Sequence, residues 1–148
     1  MNEKEDMKKY KIGYTQGVYD MFHIGHLNLI NQAKELCDFL IVGVNSDDLV
    51  KSYKHKETVI KEHERSEIVR NIKAVDECII VDTLDKVELH QRLGFDVIFI
   101  GDDWYGNQRW MQTKADLASR GADVVFLPHT EGISSTILRT QSENSVKD

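Results

Sequence analysis

Phe39-Leu40-Ile41-Val42-Gly43-Val44 is the stretch that decides the fold. It has no polar side chain, so a strand built from it needs cover on both faces. Just upstream, Ile24–Cys37 places Leu27, Ile30, Ala33 and Cys37 at helical spacing. Before that helix, Tyr10–Thr15 predicts a short strand running to Gly17. Downstream the alternation repeats. His63–Ala74 carries a helical stripe of Ile68, Val69 and Ile72, and Cys78–Val81 is a strand. Leu84–Leu93 is a helix closed by Gly94, Val97–Ile100 a strand, and Gln108–Arg120 a helix stopped by Gly121. Val124–Leu127 is a strand ended by Pro128, and Ser134 or Ser135 can cap a last short helix. Apolar strands alternating with helices predict an α/β fold: a Rossmann-like, doubly wound, five-stranded parallel sheet with helices on both faces.

A chain of 148 residues with 41% hydrophobic and 30% charged residues suits one globular domain with its own core. Residues 1–9 and 141–148 read as charged and polar tails around one folded unit, 10–140. No run approaches the ~20 apolar residues of a membrane-spanning helix. The charged N-terminus lacks the apolar core of a signal peptide, so the expected location is cytoplasmic. Cys37 and Cys78, in apolar surroundings, read as buried free thiols. A net charge of −6 disfavours nucleic acid as a partner but leaves room for a local basic pocket.

In doubly wound sheets ligands sit beyond the carboxyl ends of the strands. Four segments lie there. In Gly17–His26 (GVYDMFHIGH) a glycine ends the strand, and His23 and His26 follow at i and i+3 where a helix begins. Both imidazoles then share one face, beside free N–H groups and the positive end of the dipole, where an anion is the natural guest. A capping histidine beside a packed one, or a pair of metal ligands, are the other readings. His129–Thr136 (HTEGISST) also runs from a strand end into a helix start, and its donors suit phosphate oxygens, although serine-rich caps are common. Lys51–Lys56 (KSYKHK) is a basic knot, readable as a solvated loop or a mobile clamp on phosphates. Gly101–Trp104 (GDDW) offers carboxylates to a ribose, a base or a metal, or is simply an Asp-capped turn.

GVYDMFHIGH resembles the HxGH signature of the nucleotidyltransferase superfamily, and HTEGISST resembles the RTEGISTT signature of cytidylyltransferases. With GDDW between them, Lys11–Arg139 is similar to bacterial glycerol-3-phosphate cytidylyltransferases, and more distantly to choline- and ethanolamine-phosphate cytidylyltransferases. The resemblance implies that His23, His26, Lys54 and Lys56 are catalytic. It implies that Gly17, Val18, Tyr19, Asp20, Gly25 and Asp103 meet the nucleotide. The same holds for the second signature, His129, Thr130, Glu131, Gly132, Ile133, Ser134, Ser135 and Thr136. Lys54, Lys73 and Lys86 would meet the acceptor. The sequence departs from the family pattern at His129 and Lys73, where arginine is usual, and at Val18, where threonine is usual.

The implied reaction transfers CMP from CTP, with Mg²⁺ on the triphosphate, to an alcohol phosphate such as glycerol 3-phosphate. Pyrophosphate leaves and a CDP-alcohol of cell-wall or capsule synthesis forms. A homodimer is implied as well. An adenylyltransferase of the same superfamily and a non-catalytic nucleotide-binding module are the rival readings.

Overall fold

The structure is a computed structural model and describes residues 9–128. The five strands are β1 (Tyr10–Gly17), β2 (Cys37–Asn45), β3 (Glu77–Val81), β4 (Val97–Gly101) and β5 (Asp123–Leu127). Between them run α1 (Ile24–Glu35), α2 (Asp47–Lys54), α3 (Glu62–Arg70), α4 (Lys86–Leu93) and α5 (Gln108–Ala118), with a 3-10 turn at Asp102–Trp104.

The sheet is parallel throughout, in the order β3-β2-β1-β4-β5. The chain steps outward from β1 to β3, then returns to the other side of β1. The strand order therefore reverses between β1 and β4, where Thr15 pairs with Phe99. In sheets of this kind ligands bind beyond the strand ends at such a reversal.

Alternation along β2 builds the two core layers. Leu40, Val42 and Val44 point to one face, where Ile30 and Ala33 of α1 and Val69 of α3 cover them. Ile41 points to the other, under Leu89 of α4 and Leu117 of α5. Leu40, Val42 and Val44 are fully buried, which stabilises the fold by about 1.5–3 kcal/mol for each such side chain. Gly43 fills the remaining place because a Cβ there would lie 2.2 Å from the Tyr14 hydroxyl oxygen.

Element boundaries follow hydrogen bonds that periodicity does not report. Cys37 is absorbed into β2, and α1 stops at Glu35, with Leu36 as its cap. Asn71 caps α3, and Ile72 and Val75 continue as turns. Gly94 and Gly121 end their helices with positive φ of 67° and 84°. Cys37 is buried and Cys78 half-buried, both as free thiols, and burial pushes the Cys78 thiol up to about 11.

One expectation needs correction. Lys51–Lys54 is not a loop but the last turn of α2, and His55 closes that helix in the left-handed conformation. Ser46 caps its start by accepting from the Leu49 N–H, and Val50 packs inward. Lys73 lies between α3 and β3, at the edge where strands begin, close to the bond from Asp76 N–H to Leu40 O. That is the opposite end of the sheet from the histidines, so the fold of one chain does not bring Lys73 to them.

Of the proposed tails, 1–9 and 141–148, all but residue 9 lie outside the described residues, as does the helix proposed to start at Ser134 or Ser135. Among the described residues no helix is long and apolar enough to cross a membrane.

Candidate active site

β1 ends at Gly17, and the chain turns into α1 through Val18–Phe22. The turn uses left-handed backbone at two non-glycine residues, Tyr19 (φ 55°) and Met21 (φ 52°). Such strain persists only where its surroundings hold it. Here Tyr19 is buried, and the Asp20 carboxylate accepts from the N–H groups of Val59 (2.8 Å) and Ile60 (2.9 Å). The structure thus places Asp20 as the brace of this turn.

His23 is the N-cap of α1. Its Nδ1 accepts from the Gly25 N–H at 3.0 Å, while its own N–H donates to Nδ1 of His26 at 3.1 Å. The rings stack 3.9 Å apart, with His26 against Tyr19 and Phe22. Both Nδ1 atoms act as acceptors, so each neutral ring carries its proton on Nε2. Burial holds the His23 pKa below the usual value. Burial, then the neighbouring His23, takes His26 down to about 4, against the pull of Asp20. At neutral pH both rings are uncharged donors. Nε2 of His23 is shielded from solvent and has no partner among the described residues. A buried donor left unpaired at a helix start calls for an acceptor from outside.

Arg65 holds the surrounding loops. It is fully buried on α3. Its guanidinium donates to Val18 O (2.6 Å), Asn45 O (2.8 Å) and Ile60 O (2.8 Å), and pairs with Asp47 at 2.6 Å. Asp47 also accepts from Thr58 Oγ1 and Glu62 N–H. Burial works to raise the Asp47 pKa, but these donors, Arg65 foremost, bring it below the usual range. Arg65 was missed in the sequence, although its spacing of i, i+4 and i+7 to Val69 and Ile72 puts it on the core face of α3.

A polar chain crosses the ends of β1 and β2. Tyr14 O–H donates to Gln16 Oε1 (2.7 Å). Gln16 Nε2 donates to Asn45 Oδ1 (2.8 Å) and Thr83 O (3.1 Å). Asn45 Nδ2 donates to Tyr53 Oη (3.0 Å). The sequence offered no signal for this chain, since polar residues at strand ends are common.

Lys86 opens α4. Its ammonium donates to Leu84 O at 2.8 Å and sits 5.5 Å from the Trp110 ring centre. Burial, then Arg109, lowers its pKa to about 8, with Asp85 opposing. Asp103 follows β4 in the 3-10 turn. Its carboxylate folds back so closely that a Cβ on Gly101 would lie 2.7 Å from it. Lys54 and Lys56 are exposed around the end of α2. The structure therefore sets Gly17–His26 and Asp103 after the carboxyl ends of the neighbouring strands β1 and β4, with Lys54 and Lys86 on the elements leaving β2 and β3. The second predicted segment, His129–Thr136, lies outside the described residues. Among the described residues no group of three or more His, Cys, Asp or Glu is arranged to hold a metal ion.

Known proteins share this fold. The fold matches a lipopolysaccharide core biosynthesis protein from Thermoplasma volcanium with a TM-score of 0.71, at 23% identity over 82% of this chain and 99% of that one. The chain is 36% identical over 126 residues to glycerol-3-phosphate cytidylyltransferase of Bacillus spizizenii, covering 84% of this chain and 92% of the relative. It is 35% identical over 131 residues to FAD synthase of Thermococcus kodakarensis, covering 87% and 85%. It is also 36% identical over 135 residues to the bifunctional protein HldE of Hyphomonas neptunium, covering 90% of this chain but only 27% of that longer protein. A family model described as cytidylyltransferase-like matches residues 14–141, and the chain belongs to that family of nucleotidyltransferases.

Proposed function

We propose that this protein transfers CMP from CTP to an alcohol phosphate, glycerol 3-phosphate foremost, releasing pyrophosphate and a CDP-alcohol. The observation that carries nucleotidyl transfer is the neutral pair His23 and His26, with a buried, unpaired Nε2–H at a helix start. An oxygen of the acceptor phosphate attacks the α-phosphorus in line. The bond from that phosphorus to the bridging oxygen breaks, and its electron pair leaves with pyrophosphate. The acceptor is already a nucleophile, so the protein's work is positioning and charge stabilisation. The two Nε2–H groups donate to α-phosphoryl and bridging oxygens as charge builds. Lys54 and Lys56 neutralise the triphosphate, the hydroxyls of Ser134–Thr136 donate hydrogen bonds to it, and Lys86 holds the acceptor phosphate. Gly17, Val18, Gly25, Asp103, His129, Thr130, Glu131, Gly132 and Ile133 complete the nucleotide pocket. Mg²⁺ enters as part of the nucleotide substrate.

CTP is favoured over ATP by the resemblance of HTEGISST to the cytidylyl signature. Glycerol 3-phosphate is favoured by a relative of that activity matched over 92% of its own length. An adenylyltransferase is the second reading, favoured by the similarity to FAD synthase. Pyrophosphate release with CTP or ATP, across a panel of alcohol phosphates, separates the two. Turnover with CTP and glycerol 3-phosphate supports the proposal. Comparable rates with ATP move the protein to the adenylyl branch, and no turnover with either nucleotide leaves a binding module. The reading further places a homodimer in the cytoplasm, in cell-wall or capsule precursor synthesis.

A further inference from the structure

The polar chain Tyr14–Gln16–Asn45–Tyr53 has a direction. Gln16 gives both of its amide hydrogens away, to Asn45 Oδ1 and Thr83 O, while its oxygen accepts from Tyr14. Turning that amide over would set its oxygen against Thr83 O and Asn45 Oδ1, neither of which can donate. Asn45 is therefore fixed with Oδ1 toward Gln16 and Nδ2 toward Tyr53. Tyr53 receives a hydrogen bond on its oxygen, and its own O–H has no acceptor among the described residues. Burial keeps the phenol above its ordinary pKa, so it stays a neutral donor across the working range. Bonds in such a chain polarise one another, which sharpens the last donor.

The place of this donor narrows what it meets. β2 and β3 lie on one side of β1, while β4 with Asp103 lies on the other. Tyr53 is on the β2–β3 side. Its chain bonds Thr83, three residues before Lys86, and Tyr53 directly precedes Lys54. Lysines suit the charged phosphate. A neutral, oriented donor beside them suits a neutral oxygen of the same molecule.

We propose that Tyr53 O–H recognises a hydroxyl on the carbon skeleton of the alcohol phosphate, making it a specificity-determining residue selective for polyol phosphates. Gln16 and Asn45 act as positioning residues that aim it. The inference rests on the reading of this site as one for alcohol-phosphate acceptors.

The test compares glycerol 3-phosphate with n-propyl phosphate, which lacks the hydroxyls, at saturating CTP. Tyr53→Phe keeps the ring and its packing. It is expected to raise KM for glycerol 3-phosphate about tenfold, with KM for propyl phosphate and for CTP unchanged. Asn45→Asp removes no heavy atom but offers Tyr53 a carboxylate acceptor, turning its O–H inward. The same selective rise is expected. Equal loss on both acceptors, or no change in the glycerol 3-phosphate KM in either variant, overturns the role of Tyr53 while leaving the transfer reaction standing. Absence of turnover by the unaltered protein with every alcohol phosphate overturns both. Thermal melts of the variants, matched to the parent, tie a selective change to recognition rather than to folding.

Discussion

The imidazoles of His23 and His26 stack at 3.9 Å, and each accepts on Nδ1 from a backbone N–H at the start of α1. Capping and catalysis are thus divided between the two nitrogens of each ring. The bond on Nδ1 decides that Nε2 carries the proton, and burial keeps each ring uncharged, helped at His26 by the neighbouring His23.

That division separates stability from activity. Asparagine is a good N-cap but has no Nε2, so His23→Asn is expected to keep the parent melting temperature within a few degrees. It should lose turnover by roughly 10²-fold, as when one charge-stabilising donor is removed. His23→Ala should lose both, with about 1 kcal/mol of stability gone with the cap. Steady-state kinetics beside thermal melts check the pair, and near-normal kcat in His23→Asn would remove the histidine from the mechanism.

His26 also predicts a pH dependence of stability. Its pKa is about 4 when folded, against 6.5 for an ordinary histidine. Between those values the unfolded chain binds the proton and the folded one does not, so stability rises with pH through that window. The contribution is complete above about 6.5 and is lost as pH falls toward 4. Melting temperature followed from pH 7 to 4 should fall more steeply for the parent than for His26→Gln, which has no such proton. Parallel curves would show that His26 charges freely in the fold.

Arg65 is the expected weak point of the scaffold. Arg65→Ala leaves the Asp47 carboxylate without its ion pair and the carbonyls of Val18, Asn45 and Ile60 without their donor. A loss of about 2–4 kcal/mol follows, from the buried carbonyls left unpaired and the void where a fully buried side chain stood. Arg65→Lys should recover little of it, because an ammonium lacks the planar fork that reaches several acceptors at once. Denaturant unfolding measures both, and a loss below about 1 kcal/mol in Arg65→Ala would contradict this account.

Lys86 ties acceptor binding to pH. Its ammonium titrates near 8, so in the free enzyme its charge falls away above that value. KM for the alcohol phosphate should rise from pH 8 to 9.5, while Lys86→Arg, charged throughout, should flatten that limb. Superimposable KM profiles would place the acceptor phosphate elsewhere.

Much of this was present in local order. The apolar run at Phe39–Val44 demanded cover on both faces, and the periods of the flanking segments supplied the helices. Gly94 and Gly121 marked helix ends because only glycine adopts positive φ there without cost. The i, i+3 spacing of His23 and His26 at a helix start placed two rings on one face. These features depend on neighbours a few residues away, which a sequence displays directly.

Only the tertiary structure decided the rest. Helix α2 is built from mainly polar residues, and what holds it is the Ser46 cap, the inward Val50 and the tie from Asp47 to Arg65, eighteen residues along. The tautomers of the histidines depend on which N–H each ring meets. The low pKa of Lys86 depends on burial and on Arg109, and the Trp110 ring beneath it comes from a different helix. Lys73 lies where the strands begin because the helix before it, α3, runs back to that end of the sheet. Periodicity encodes which side chains are buried. Hydrogen-bond direction, desolvation and the neighbours of each strand are set by contacts between segments far apart in the chain, and those exist only once it has folded.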